Sequence, residues 1–276
     1  MRKVYCELTH KELLLPDRCE RIISFSPAVT EALFQMGLGD FVVGVSVYCV
    51  RPESARKKNI VGSYNSFKED KLRELMPDII FTTTGYQLEL IEKLNDKFNV
   101  YPVRLPPSVS EIIATCFEVG VVAGYFSKAR EIERKLTTEL GNLISSARKE
   151  VKPRVYVEID LGGPVTFGAY SYITDAIELL GGVNVFGEFP AEWLKPDDEI
   201  VKELNPDLII YEPKMFSKRR ERERILSMFN ARFGDIKAVK EGKIFITPGI
   251  YDFLAHHGPS FITEVMPWLK GIIDSF

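Results

Sequence analysis

The sequence is short of histidine, with three in 276 residues, and of cysteine, with four. No two cysteines stand as Cys-x-x-Cys, the spacing on which small zinc sites are built. Cys49 and Cys116 sit among apolar neighbours and read as core thiols. Cys6 and Cys19 flank a candidate hairpin and could pair. Mostly free thiols fit a reducing compartment. No apolar run reaches the roughly 18 residues needed to span a bilayer. A secretory signal needs an apolar stretch of about 7–15 residues, and behind Met1 to Cys6 any such stretch is broken by Glu7, His10, Lys11 and Glu12. The expectation is a cytoplasmic protein, or an extracytoplasmic one given in mature or trimmed form. Positive charge is not in excess either: 36 Lys and Arg face 39 Asp and Glu. A nucleic-acid or anionic-membrane partner, which demands a basic surface, is therefore not expected. Gly162-Gly163-Pro164 lacks the lysine and spacing of a phosphate loop, and no nucleotide or other intrinsic cofactor is expected. No nucleophile elbow or His-Glu-x-x-His helix is present, which argues against an enzyme.

What the chain does contain is an approximate internal repeat. Residues 72–81 read LRELMPDIIF and residues 201–210 read VKELNPDLII. In each, a helical stretch stops before a proline, which pushes the preceding residue out of the α region. The β-branched run behind it has the look of a buried parallel strand. Upstream, Thr30 to Gly37 and Thr174 to Gly181 are a second matched pair, two short helices closed by glycine, the residue suited to a left-handed C-terminal position. Strands are expected at 21–25, 41–45, 79–81 and 100–103 in the first half. In the second half they are expected at 154–159, 208–211 and 243–246. Ser26-Pro27 reads as N-cap and first turn of a helix, and Ser108 to Glu111 as a capping box. Between the halves, Ile132, Leu136, Leu140, Leu143, Ile144 and Ala147 recur at helical spacing over residues 127–149, a helix roughly 35 Å long. The fold class is therefore α/β: two Rossmann-like lobes with parallel sheets joined by a long backbone helix. The lobes run over 1–124 and 151–276, with the connecting helix over 125–150.

In open α/β sheets ligands bind beyond the carboxyl ends of the strands, and in two facing lobes those ends would line a common cleft. In the first half they bring Ser26, Tyr48, Arg51, Tyr64, Asn65, Thr84, Gly85 and Tyr86. In the second they bring Tyr170, Ser171, Tyr172, Trp193, Glu212, Phe216, Tyr251 and Phe253. Seven of these sixteen are tyrosine or tryptophan, and each offers a wide apolar face with one polar handle. That suits a macrocycle or an aromatic chelate better than a sugar or a phosphate. Arg51 is the candidate cation for a ligand carboxylate or phosphate, or else a partner for Glu53. His256 or His257 is a candidate axial ligand to a bound metal; adjacent histidines rarely reach one ion together. The mixed-sign run 217–224, with Lys214 before it, reads as a solvated helix with internal ion pairs.

Arg21 to Cys49 (RIISFSPAVTEALFQMGLGDFVVGVSVYC) followed by Val61 to Ile80 (VGSYNSFKEDKLRELMPDII) resembles a known family. It is that of the vitamin B12 and ferric-siderophore binding proteins of ABC importers, whose two lobes are joined by a helical backbone. The Ser-Pro-x-x-Thr-Glu element, Tyr-Cys ahead of Arg51-Pro52 and the Leu-x-Pro-Asp step together carry the likeness. The resemblance implies a monomeric binding protein for a metal chelate, a corrinoid or a ferric siderophore, with an ABC importer permease as partner. It also implies one acidic docking residue per lobe, matched here by Asp70 and Glu199. Two alternatives stay open on the residues: a cytoplasmic protein of this fold that stores or hands over a cofactor, and an enzyme.

Overall fold

The structure is a computed structural model that describes residues 1–85, 87–147, 151–216 and 222–276. It divides into two compact units, one of residues 1–106 with 110–137, the other of residues 107–109 with 138–276.

The first unit opens with a hairpin, β1 (Arg2–Cys6) against β2 (Lys11–Leu15), which the sequence barely signals. Its cations explain its seat. The Arg2 guanidinium donates to the carbonyl of Val122, and the Lys11 ammonium to that of Asn95 at 3.0 Å. Both carbonyls lie at or just past helix ends, where the backbone dipole favours positive charge. Then follow β3 (Ile22–Ser24), α1 (Pro27–Gln35), β4 (Val42–Ser46), β5 (Asn59–Gly62), α2 (Glu69–Leu75), β6 (Ile79–Thr83), α3 (Leu88–Asn95) and β7 (Val100–Val103). These strands form one sheet in the order β5-β4-β3-β6-β7, all pairs parallel. The order reverses between β3 and β6, which makes that gap the switch point of a doubly wound sheet. Ile23, Phe25, Val61, Leu72, Ile80 and Leu90 are buried together on one side of it. The unit closes with α4 (Val109–Val122) and the first part of α5 (Phe126–Ser145), inside which the division between the units falls.

The expected connecting helix is thus present but ends at Ser145, about 30 Å from its start; residues 148–150 lie outside the described set. Ile132 and Leu136 are buried as expected, whereas Ile144 is 36% exposed.

The second unit contains β8 (Arg154–Asp160), β9 (Pro164–Phe167), α6 (Tyr172–Leu179), β10 (Val183–Asn184), β11 (Trp193–Leu194), α7 (Asp198–Leu204), β12 (Leu208–Glu212), α8 (Arg222–Phe233), α9 (Lys237–Lys240), β13 (Ile244–Ile246) and α10 (Met266–Asp274). Here the parallel expectation needs correction. β10, β12 and β13 are parallel to their neighbours, but β9 returns antiparallel to β8 and pairs antiparallel with β11. The Gly162-Gly163 pair is the reason: it turns the chain tightly, with the Gly162 amide donating to Asp160 at 2.9 Å and φ of Gly162 at +104°. The charged run 217–224 is described only from Arg222 on, as the start of α8.

The repeat has a physical explanation. α2 and α7 each end on a left-handed residue, Met76 (φ 42°, ψ 63°) and Asn205 (φ 43°, ψ 65°). The Pro-Asp step follows, and the aspartate satisfies the amides that open the first strand of its sheet. Asp78 accepts from Glu20 and Arg21 at 2.8 and 2.9 Å, and Asp207 from Arg154 at 2.8 Å. The arginine at that strand start answers by donating to the last helical carbonyls: Arg21 to Leu75 and Arg154 to Leu204, each at 2.8 Å. Leu-x-Pro-Asp is therefore a strand-register lock, built twice.

Asparagine tolerates the left-handed region and methionine does not. Met76 is 67% exposed, so its side chain is not needed for packing. Met76→Asn should stabilise the protein by about 0.5–1 kcal/mol in urea unfolding; an unchanged or lower midpoint would refute the strain.

Candidate functional site

Beyond the strands of the first sheet lie the described residues expected in the first half. Ser26 is buried and caps α1, its hydroxyl accepting from Val29 at 3.4 Å. Tyr48, beyond β4, and Tyr64, beyond β5, stack with ring centroids 4.0 Å apart and planes 9° from parallel. Both are half-buried, as is Arg51, while Asn65 is exposed and accepts from Ser63 at 3.1 Å. Thr84, beyond β6, accepts from the Leu105 amide at 3.0 Å. Gly85 takes φ of +84°, a conformation that suits glycine. Tyr86 lies outside the described residues.

Sequence reasoning missed Gln87. It is 1% exposed and spans the switch point, its Oε1 accepting from Thr83 at 2.7 Å and its amide nitrogen donating to Phe25 at 3.3 Å. It ties the end of β6 to the end of β3. Its only sequence signal was its place three residues beyond Thr84.

In the second unit, Tyr170 and Trp193 are 57% and 59% exposed, with Trp193 on the edge strand β11. Phe216 is 52% exposed and meets the half-buried Tyr251 edge-to-face at 5.8 Å. Three further expected residues are turned inward. Ser171 caps α6. Tyr172 is buried and donates to the Leu254 carbonyl at 2.9 Å. Glu212 is buried and accepts backbone amides of Phe253, Leu254 and Ala255. Burial, then the neighbouring Asp252, pushes the Glu212 carboxyl up to about 7, against the pull of those amides.

His256 and His257 are both buried, 6% exposed. The ring of His257 packs 5.8 Å from that of Tyr172, and among the described residues its Nε2 has no hydrogen-bond partner. Burial, reinforced by His256, pushes His257 down to about 3, so its imidazole is neutral. Among the described residues, no group of three or more His, Cys, Asp or Glu side chains stands together as a metal site. The four cysteines are buried, separate thiols, Cys6 and Cys19 included.

The two acids matched as docking residues occupy equivalent places. Asp70 and Glu199 are exposed in the first turns of α2 and α7, and Glu199 pairs with Lys202 at 2.7 Å. In both helices the preceding acid is the one tied into its own unit. Glu69 meets Lys97 at 2.5 Å and Arg73 at 2.6 Å, and Asp198 meets Arg232 at 2.8 Å.

Arg232 also pairs with Glu158 on β8 at 2.8 Å, and Glu158 accepts the Tyr156 hydroxyl at 2.6 Å. No sequence pattern pointed to this buried chain of polar groups, which ties β8, α7 and α8 together.

Chemically, the exposed members of this set offer ring faces and single hydrogen-bonding groups. Groups of this kind suit large, partly apolar ligands.

Comparison with known proteins agrees with this geometry. Residues 22–251 match the sequence model of the family described as "Periplasmic binding protein". The ABC transporter substrate-binding lipoprotein YvrC of Bacillus subtilis is 23% identical over 280 residues, 98% of this chain and 85% of that protein. The vitamin B12-binding protein of Yersinia pestis is 24% identical over 203 residues, 72% of this chain and 71% of that protein. Among solved structures, the periplasmic heme-binding protein RhuT of Roseiflexus superposes with a TM-score of 0.79. Its identity is 20%, over 93% of this chain and 98% of that one. The sequence match over most of the chain and the two α/β units with their helical link lead to one assignment: the chain belongs to the periplasmic binding protein family.

Proposed function

We propose that this protein binds a metal-chelate ligand, a corrinoid or a ferric siderophore, and delivers it to an ABC-type importer. The observation that carries the reading is the concentration of aromatic rings beyond the strand ends and on the edge strand β11. Tyr48 and Tyr64 supply them in the first unit, and Tyr170, Trp193, Phe216 and Tyr251 in the second. Arg51, Asn65 and Thr84 would supply the polar contacts, and Tyr86 belongs to the same set by its place in the chain. The names of the relatives support the same ligand class, since those proteins bind vitamin B12 or heme. Asp70 and Glu199 would meet basic residues of the permease.

The test is a titration with cyanocobalamin, cobinamide, haemin and a ferric siderophore, read by absorption and by melting temperature. At a hundred times its dissociation constant, a true ligand stabilises the protein by about 2.7 kcal/mol. Trp193→Ala and Tyr64→Ala should each weaken binding by about tenfold or more, as expected when an aromatic contact is truncated. Saturable binding of one chelate, lost in these variants, would establish the reading. No response to any of the four would refute it.

A further inference from the structure

The segment Phe253–Ala255, which follows β13, is held from two sides within the second unit. Glu212, the last residue of β12, is 1% exposed. Its carboxyl oxygens accept from three successive backbone amides: Phe253 at 2.9 Å, Leu254 at 2.5 Å and Ala255 at 3.1 Å. Successive amides turned onto one acid form a concave anion cradle. From the other side Tyr172, the first residue of α6, donates its hydroxyl to the Leu254 carbonyl at 2.9 Å. Its ring is locked edge-to-face against Phe261 at 4.9 Å. Just ahead of the held segment, Tyr251 meets Phe216, whose amide donates to the Ile250 carbonyl at 3.3 Å.

Glu212 and Tyr172 thus direct their polar atoms at backbone. What they grip is a loop at the carboxyl edge of the sheet, beside the β8–β12 switch point, where ligands of such sheets bind. A loop pinned before the ligand arrives loses less conformational freedom on binding, and the complex gains affinity by that difference.

We infer that Glu212 and Tyr172 are positioning residues: they clamp Phe253–Ala255 so that Tyr251 and Phe216 present a fixed aromatic surface, without touching the ligand themselves. This rests on the proposed chelate-binding function. It departs from the sequence reading, which placed both residues among the direct contacts.

The experiment compares wild type, Glu212→Gln, Tyr172→Phe and the double variant. Equilibrium and dissociation kinetics are measured with cyanocobalamin and haemin, and backbone amide exchange at residues 253–255 is followed in parallel. Each single variant should bind about tenfold more weakly through faster dissociation, with faster exchange at the three amides. The double variant should lose less than the product of the single losses, because both side chains hold one loop. Tyr172→Phe keeps the ring packing and answers the question should Glu212→Gln fail to fold. A role in stability alone would lower the melting temperature and leave the affinity of the folded protein unchanged, and that result overturns the proposal. So does unchanged exchange at residues 253–255. Should the wild type take up neither chelate, the proposed function has failed separately, and the exchange arm alone then decides the clamp: lost protection upholds it, retained protection overturns it.

Discussion

Replacing Arg232 with methionine is expected to cost about 3–5 kcal/mol of folding stability, the largest effect we predict for a single substitution. The Glu158 carboxylate is only 3% exposed, and Arg232 is the cation that meets it, at 2.8 Å. Without that partner a charge stays buried without compensation, which is far costlier than losing a surface pair. The same guanidinium meets Asp198 at 2.8 Å and lies 4.6 Å from the centre of the Phe233 ring. That hydrogen bond holds the Asp198 carboxyl below its usual range. Methionine keeps the apolar stem over the ring, so the change isolates the charge. In a chain of this length the loss corresponds to a fall in melting temperature on the order of 10 °C.

Adding Glu158→Gln to Arg232→Met should restore more than half of the loss. No charge is then left in the interior, and the Tyr156 hydroxyl keeps an acceptor in the glutamine carbonyl. Urea unfolding of the two single variants and the double variant decides the matter. A cost below about 1 kcal/mol for Arg232→Met would show that the Glu158 carboxylate is hydrated without its partner.

The second large effect is hidden in the wild type because two buried groups oppose each other. His257 is pushed down to about 3 from an ordinary value of 6.5. Between those limits the unfolded chain binds the proton and the folded one does not, so stability rises with pH by about 1.4 kcal/mol per unit. Glu212 is pushed up to about 7 from 4.5. Between those limits the folded protein holds the proton more tightly, so stability falls with pH at the same rate of about 1.4 kcal/mol per unit. From pH 4.5 to 6.5 the two slopes cancel.

Each substitution should uncover the other group. Glu212→Gln leaves His257 alone, and stability should climb steadily as pH rises through that window. His257→Gln leaves Glu212 alone, and stability should decline. Unfolding free energies at four or five pH values for the three proteins give the slopes, with every other titrating group common to all. Coincident slopes in wild type and both variants would show that neither group is as enclosed as the structure makes it.

Much of the fold was legible because its signals are local. The Leu-x-Pro-Asp steps announce a helix end and a buried strand. Ser26 and Pro27 do cap and open α1, and Gly37 and Gly181 do close their helices at φ of 69° and 87°. The strands at 22–24, 79–83, 100–103, 154–160 and 208–212 match apolar runs that only a covered sheet can bury. Of the hairpin β1–β2 only its neighbourhood, between Cys6 and Cys19, was legible and not its strands, and the short edge strands β10 and β11 were not legible at all. They have no strong period of their own and are held by contacts made elsewhere, such as Arg2 on the end of α4.

For the candidate residues the sequence gives positions and not orientations. Strand ends are local features, so candidates there could be collected from the sequence; of these Phe216 is exposed, Tyr48 and Tyr64 are half-buried, and Trp193 opens the edge strand β11. Which side chains turn inward depends on groups tens of residues away. Glu212 is taken up by amides 41 to 43 positions on, Tyr172 by a carbonyl 82 positions on, and Glu158 by an arginine 74 positions on. Alternation, caps and the Pro-Asp step are short-range chemistry and were set by the sequence alone. Only the packed structure decides whether a polar group at a strand end meets solvent or backbone, because that is settled by which distant donors and acceptors the fold carries to it.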